Sequence, residues 1–235
     1  MREIPPTAWL EKLEERANGV REAPDPEHVH ELRVACARLI VWLDLGGWRT
    51  LKDDLRWLRR SAATVRDIDV VLHRFRGRVW AVDLAAQRSV GASDLLRVFS
   101  NPRVQGIVPA LAVMPAVSEE TALEHLARER RRTLRAGKHL HDKEKDLAQV
   151  HRLRRAARRL RYVLEWIGEA PKDLAELQGE LGTLNDLAIT DRVLAGRTGE
   201  DGIAADRALV EKELEDQCER IEDAWSDARK IVEGL

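Results

Sequence analysis

The sequence predicts an all-α protein built from two similar helical bundles, and three observations favour this fold class. Long stretches rich in Leu, Ala, Glu and Arg place apolar residues at a helical period. Only 8 Pro and 14 Gly occur among 235 residues, 44% of which are hydrophobic, so the chain can bury a sizeable core. Part of the sequence is also repeated, as is typical of duplicated helical units.

Capping residues and Pro and Gly positions define the predicted helices. Asp25 is a candidate N-cap with Pro26 at the first helical position, and this helix should end near Gly46. Asp142 is the candidate N-cap of a later helix that ends near Gly168. The other predicted helices cover roughly 7–18, 50–76, 93–112 with a break at 101–103, 118–139, 171–196 and 203–233, while 77–92 stays unassigned.

The repeat consists of two pairs of matching segments in the same order. VHELRVACARLIVWL at 29–43 aligns without gaps on VHRLRRAARRLRYVL at 150–164. LRRSAATVRDIDV at 58–70 then parallels LQGELGTLNDLAI at 177–189. We therefore expect one domain over 1–235, with a first helical repeat at about 7–115 and a second at about 118–233, packed about a pseudo-twofold axis with a central seam.

The net charge of -1 conceals a strong partition of charge along the chain. Residues 128–162 contain 14 Lys and Arg against 4 Asp and Glu. Residues 163–235 contain 8 Lys and Arg against 19 Asp and Glu. The overall charge therefore says nothing about the local field, which is strongly positive in the first of these segments.

One helix of the basic segment carries its positive charge on one side. At 100° per residue, six basic residues fall within an arc about 160° wide. We call this arc the basic face, and its members are His151, Arg154, Arg155, Arg158, Arg159 and Arg161. The opposite side forms the predicted core stripe of Leu153, Ala156, Ala157, Leu160 and Leu164.

The basic face needs an anionic partner from outside its helix. Exposed helix faces usually mix acids with bases, because unlike pairs at i,i+4 help by ~0.3 kcal/mol and like pairs cost as much. Either the acidic segment 211–223 or a polyanionic ligand can supply the charge, and arginine's planar fork favours phosphate. The preceding helix adds a second basic stripe, so the two stripes can line a groove or pore; its members are Arg128, Arg131, Arg132, Arg135 and Lys138.

The remaining motifs exclude several classes of site. His-x-His spacing and the lack of a Cys cluster or HExxH argue against a metal, and we expect no cofactor. No nucleophile elbow or phosphate loop occurs, so we expect no enzyme. Cys36 and Cys218 lie in helical patterns and are expected to be buried thiols. An N-terminus without an apolar signal core predicts a cytoplasmic protein with no membrane partner.

The repeated segments resemble a known family. VHELRVACARL and VHRLRRAARRLRYVLE, followed by RDIDVVL and LNDLAI, are similar to the CHAD family (conserved histidine α-helical domain) over nearly the whole chain. The resemblance implies two four-helix bundles and a basic central groove or pore that binds inorganic polyphosphate. It also implies a non-catalytic binding or targeting module that can associate with polyphosphate granules. The ExExK signature of a fused triphosphatase is absent.

Carried over to this sequence, the resemblance implies polyphosphate contacts from both repeats. The implied residues are His30, Arg33, Arg38 and Arg66, then His151, Arg154, Arg155, Arg158, Arg159, Arg161 and the hydroxyl of Tyr162. From the spacing of the second basic stripe we expect further contacts from Arg131, Arg135 and Lys138. Asp67 and Asp186 are expected to orient arginines or to cap helix contacts.

The first repeat departs from this pattern. It has Val34, Ala37, Ile40 and Val41 on the arc that the second repeat fills with Arg155, Arg158, Arg161 and Tyr162. The first half therefore binds more weakly, or its apolar face packs on another helix or on a partner protein. Two other functions stay open: binding of RNA or DNA backbones by the same basic face, and a helical interaction scaffold whose basic face is neutralised internally.

Overall fold

The computed structural model describes residues 2–138, 140, 147–197 and 202–235. Within these residues the chain is helical apart from short turns, loops and one antiparallel pair of two-residue strands, β1 (Glu3–Ile4) and β2 (Val117–Ser118). The all-α prediction is confirmed. The chain divides into two compact units, Met1–Thr121 and Ala122–Leu235, which we call the first and second units.

The first unit contains seven α-helices among its described residues. They are α1 (Thr7–Glu22), α2 (Pro26–Leu45), α3 (Lys52–Ser61), α4 (Ala63–Arg74), α5 (Val82–Phe99), α6 (Pro102–Gln105) and α7 (Ile107–Ala112). The Asp25 side chain accepts a hydrogen bond from the backbone N–H of His28 at 2.8 Å, so the predicted N-cap of α2 is confirmed. Most of the unassigned stretch 77–92 is helical, in a short 3-10 turn (Val79–Ala81) and α5.

The helix predicted over 50–76 is in fact two helices, α3 and α4. The break lies at Ala62, whose backbone N–H bonds to the carbonyls of Leu58 and Arg60. The backbone of Ala62, at φ -83° and ψ 0°, departs from regular α-helical angles, so one helix ends and the next starts here, and the Ala62 side chain is fully buried. No Pro or Gly marks the position, so the break could not be predicted from the sequence.

The second unit has fewer and longer helices. They are α8, which begins just before the unit boundary (Glu119–Gly137), α9 (Leu147–Ile167), α10 (Lys172–Ala195) and α11 (Ile203–Gly234). The predicted N-cap of α9, Asp142, lies outside the described residues. The second-repeat counterpart of α3 and α4 is the single continuous helix α10.

The core of the second unit confirms the predicted stripe on α9. Leu153, Ala157 and Leu160 are fully buried and Leu164 nearly so, while Ala156 is half-buried. These residues join leucines of α10 and the ring of Trp225 on α11 in one apolar cluster. Burying this stripe turns the opposite side of α9, the basic face, away from the core.

In the first unit α2 is the central helix, and its apolar face is covered. Helices α1, α3 and α4 pack against α2. Ala37, Ile40 and Val41 are at most 9% exposed. The prediction that this face binds a partner protein is therefore wrong for these three residues, because no apolar surface is left there for a partner. Burial also raises the pKa of the Cys36 thiol to about 12, which leaves it unreactive.

Candidate anion-binding site

The basic face of α9 is only partly exposed. Arg155 is exposed, whereas His151, Arg154, Arg158, Arg159 and Arg161 are half-buried. Tyr162 is 3% exposed, so its hydroxyl is not offered to a ligand at the surface. The six members of the basic face thus remain at least partly exposed, whereas Tyr162 is buried.

Two arginines of the basic face pair with carboxylates of the same unit. Arg159 donates from Nη2 to Oε1 of Glu129 on α8 at 3.3 Å, and Arg161 donates from Nε to Oε1 of Glu165 at 2.8 Å. Arg132 of α8 donates from Nη1 to the same Oε1 of Glu129 at 2.6 Å. Part of the charge of the basic face is therefore neutralised by Glu129 of α8 and by Glu165 of α9 itself, and neither residue belongs to the segment 211–223 that the sequence indicates as one possible source.

Glu129 holds one arginine on each of two helices. Its side chain is 2% exposed, and its Oε2 has no hydrogen-bond partner among the described residues. A buried carboxylate is costly unless it is well paired, and this one is only half satisfied. Its position between Arg132 and Arg159 indicates that it serves to fix those two guanidinium groups.

His151 lies among arginines of two helices. Partial burial lowers the pKa of His151 below its usual value, and the charges of Arg154, Arg155 and Arg192 lower it further. Arg192 is exposed on α10 and was not predicted to belong to the site. The imidazole is therefore neutral at pH 7 and stands in a locally positive field.

The second basic stripe, on α8, is largely exposed. Arg128, Arg131, Arg132, Arg135 and Lys138 all have exposed side chains. Arg130, which lies between them in the sequence, turns instead to the end of α11 and donates from Nε to the carbonyl of Val232 at 2.9 Å. It also bonds the carbonyl of Glu233. Arg130 thus caps a helix end, and the stripe keeps the five predicted members.

In the first unit the motif arginine Arg33 sits among other arginines. It is half-buried and donates from Nη1 to the backbone carbonyl of Arg59 on α3 at 2.9 Å. Burial lowers the pKa of Arg33, the Asp67 carboxylate opposes this, and the charges of Arg59 and Arg66 add to the lowering. Three guanidinium groups of α2, α3 and α4 therefore converge near one carboxylate, and we call them the first-unit cluster.

Arg59 is the member of this cluster that the sequence reasoning missed. It lies seven residues before Arg66, a spacing that places two residues on the same side of a continuous helix. This spacing can be read from the sequence, but α3 and α4 are separate helices, so it does not by itself place Arg59 and Arg66 together. The structure shows that the charges of both residues lower the pKa of Arg33. His30, the motif histidine of this unit, is exposed.

Arg38 and Arg159 occupy the same repeat position but have different environments. Arg38 is 8% exposed, and its guanidinium carbon lies 4.1 Å from the centroid of the Trp9 ring on α1. Arg159 pairs with Glu129 on α8. Each arginine is held by the helix that precedes it, by an aromatic ring in one unit and by a carboxylate in the other. The burial of Arg38 does not support its predicted contact with a ligand.

The described ranges contain neither a metal cluster nor a membrane-spanning helix. Among these residues no group of three or more His, Cys, Asp or Glu side chains is arranged to hold a metal ion. Within the same ranges, no helix combines the length and the hydropathy needed to cross a bilayer.

Comparison with known proteins places this architecture. A family model of the CHAD domain matches residues 7–195. The crystal structure of the CHAD domain from the plant Ricinus communis is similar with a TM-score of 0.69 and 22% identity, over 97% of this chain and 88% of that one. PptA from Streptomyces chartreusis is similar with a TM-score of 0.67 and 18% identity, over 99% of this chain and 97% of that one. No curated protein matches the sequence.

Proposed function

The chain belongs to the CHAD domain family, and from this premise we propose that it binds inorganic polyphosphate through arginine, lysine and histidine side chains. The protein acts as a non-catalytic binding or targeting module in the cytoplasm, where it can associate with polyphosphate granules. Recognition depends on the repeating phosphate charge, which arginine forks bind in a bidentate manner.

The observation that carries this proposal is the convergence of arginines on a motif residue in each unit. In the first unit Arg59 and Arg66 act on Arg33, and in the second unit Arg154, Arg155 and Arg192 act on His151. Bringing like charges together in a partly desolvated place costs free energy. A bound polyanion removes that cost, so the arrangement favours a ligand with many regularly spaced negative charges.

Binding of RNA or DNA is the second candidate, and one observation weighs against it. Tyr162 was the aromatic residue of the basic face that a base would stack on, and it is buried. Base stacking on aromatic side chains is a main source of affinity for single strands. On this face a nucleic acid would thus be bound through its phosphates alone. Polyphosphate carries more phosphate groups per unit length and is therefore the better ligand.

Calorimetric titration of the full chain with long polyphosphate at about 150 mM salt tests the proposal. We expect saturable binding whose affinity falls as salt rises, because phosphate contacts release counterions. Absence of binding by a folded protein would refute the proposal. Displacement of polyphosphate by single-stranded RNA at equal phosphate concentration would favour the nucleic-acid alternative instead.

The best double substitution on the basic face is Arg155→Glu with Arg158→Glu. A reversal at Arg159 is less informative, because it would place a second carboxylate beside the buried Glu129 and threaten the fold. Reversal at Arg155 and Arg158 should abolish binding while the helix content in circular dichroism stays unchanged. Lys212→Glu reverses one positive charge at an exposed position of α11 that belongs to neither basic stripe, and it is the control for charge reversal elsewhere on the surface.

A further inference from the structure

The second unit contains an open pocket that lies beside the basic face and is separate from it. The pocket has a volume of about 280 Å³ and is lined by Arg132, Arg135 and Ala136 of α8 and by Gln149 and Arg152 of α9. We call it the α8–α9 pocket. Among the described residues that line it, three of five are arginines and none is acidic, so these walls favour an anionic ligand.

The position of Arg152 explains why the sequence did not reveal this pocket. Arg152 lies about 100° from His151 around α9, just beyond Arg159 at about 80°, and so outside the arc of the basic face. Arg159 contacts Glu129 of α8, so the side of α9 that carries Arg159 and Arg152 faces α8. Arg152, which is itself exposed, therefore lies outside the basic face and lines the pocket together with Arg132 and Arg135 of the neighbouring helix.

The contacts between the two helices have an antiparallel register. Glu129 meets Arg159, and further along, Ala136 and Arg135 share the pocket with Arg152 and Gln149. Residue numbers increase along α8 as they decrease along α9, as in an antiparallel helix pair. Because this pair places arginines from both walls around one opening, the guanidinium groups can converge on a single ligand.

The walls favour a small ligand with a high charge. The volume lies just below the range of about 300–1,000 Å³ that is usual for drug-sized ligands. The lining offers the aliphatic stems of arginines and the Ala136 methyl, with guanidinium groups and one amide as hydrogen-bond donors. Such a site suits a compact group with several phosphate oxygens better than a long segment of polymer.

Glu129 connects this pocket with the basic face. Its Oε1 accepts hydrogen bonds from Arg132, which lines the pocket, and from Arg159, which belongs to the face. The same buried carboxylate therefore limits the freedom of one arginine at each place. A preorganised guanidinium loses less conformational entropy when a phosphate group binds.

We infer that the α8–α9 pocket binds a terminal di- or triphosphate group, with Arg152 as its principal new contact and Arg132, Arg135 and Gln149 as further donors. The group can be the end of a polyphosphate chain or a free short polyphosphate. The physiological role as a chain-end site rests on the proposed function, whereas the binding of a short phosphate does not.

The test is calorimetry of the full chain with inorganic triphosphate at about 150 mM salt. We expect the wild type to bind one triphosphate in the pocket. Arg152→Ala should weaken that binding by about tenfold or more, the loss expected for a hydrogen bond between charged groups. Gln149→Ala should weaken it less, and Lys212→Ala, which removes one positive charge from an exposed site on α11, should leave it unchanged.

The outcomes separate the pocket from the proposed function. The proposed phosphate site is refuted if triphosphate does not bind, or if wild type and Arg152→Ala bind it equally well. This holds whether or not long polyphosphate binds. Loss of long-chain binding with retained, Arg152-dependent triphosphate binding supports the pocket and overturns the proposed function. Circular dichroism of each variant verifies the fold.

A second arm identifies the source of the phosphate group. Long polyphosphate with free ends is compared with the same chains blocked at both ends as phosphoramidates. If capping lowers the wild-type affinity to that of Arg152→Ala, the pocket takes chain ends. If capping changes nothing while triphosphate still depends on Arg152, the pocket takes free short polyphosphates. Both results support the site.

Discussion

The two units use the same repeated motif but place their arginines on different helices. In the second unit α9 carries Arg155, Arg158 and Arg161, where α2 of the first unit has Val34, Ala37 and Ile40. In the second pair of matching segments, 58–70 and 177–189, it is the first unit that has the arginines. The first unit has Arg59 and Arg66 on α3 and α4, and the second unit has Gln178 and Asn185 at the matching positions of α10.

This difference teaches that the two units carry their basic residues on different elements of the same repeat. In the first unit α2 is an apolar central helix, with Ala37, Ile40 and Val41 buried, and the arginines lie on helices that pack against it. In the second unit α9 itself carries the arginines, opposite the stripe that enters the core. We therefore expect both units to contribute to anion binding, by different surfaces.

The strongest test of this comparison is a pair of double substitutions. We expect Arg59→Ala with Arg66→Ala to weaken polyphosphate binding as Arg155→Ala with Arg158→Ala does, each by roughly a hundredfold, since every pair removes two charge-assisted hydrogen bonds. Salt-dependent calorimetry measures both affinity and slope, and each pair should reduce the slope by about 1–2. Wild-type affinity after the first pair would show that the first unit does not contribute.

The second test concerns the residues that hold Arg38 and Arg159. Glu129→Gln should lower the free energy of unfolding by roughly 1.5–3 kcal/mol, because the amide oxygen can still accept from both arginines but no longer carries the charge that offsets theirs at a buried position. Trp9→Leu should cost less, because a cation–π contact is worth about 0.5–2 kcal/mol.

Thermal unfolding followed by circular dichroism measures these two effects. Glu176→Gln is the control, because Glu176 forms an exposed pair with Lys172 and its loss should have no measurable effect. A larger loss of stability for Trp9→Leu than for Glu129→Gln would contradict the ranking of the two anchors.

The third test compares a glycine in the first helix of each unit. A Cβ at Gly137 would lie 2.1 Å from the Trp225 ring, which is fully buried, so Gly137→Ala should cost about 1–3 kcal/mol. A Cβ at Gly19 would lie 3.0 Å from the ring of His28, so this half-buried ring, whose Nδ1 lies 2.9 Å from the Ala23 carbonyl oxygen, must move by only a few tenths of an ångström. Gly19→Ala should therefore cost less than Gly137→Ala in thermal unfolding. Equal losses for the two variants would show that Trp225 can move as readily as His28.

The smallest expected effect is a pH dependence that arises at His151. Its pKa in the free protein is below the usual 6.5, first through burial and then through Arg154, Arg155 and Arg192, and a bound polyanion raises it again. Binding therefore takes up a proton, and affinity should rise, by less than tenfold, as the pH falls from about 7.5 to about 5.5.

Calorimetry of the wild type and of His151→Asn across this pH range measures the effect, which the variant should lack. Without ligand the sign is opposite, because the folded protein binds fewer protons than the unfolded chain. Stability is therefore complete above pH 6.5 and declines as the pH falls below it. An unchanged pH dependence in His151→Asn would assign the proton uptake to another group.

The sequence by itself determined the helices, the core stripe of α9, the N-cap at Asp25 and the family. Each of these depends on local spacing: apolar residues at the helical period, a capping side chain before a Pro, and motif residues at fixed offsets. The break at Ala62 was not predicted, because it is a change of backbone angles that no Pro or Gly signals.

Only the tertiary structure decided which basic residues remain available. A helical wheel places Arg38, Arg159 and Arg161 on a face, but it cannot show that Trp9, Glu129 and Glu165 lie against them. It also cannot bring Arg59 next to Arg33, or Arg152 opposite Arg132. The physical reason is that burial and pairing of a charge depend on the neighbouring helix, and helix packing joins residues far apart in sequence.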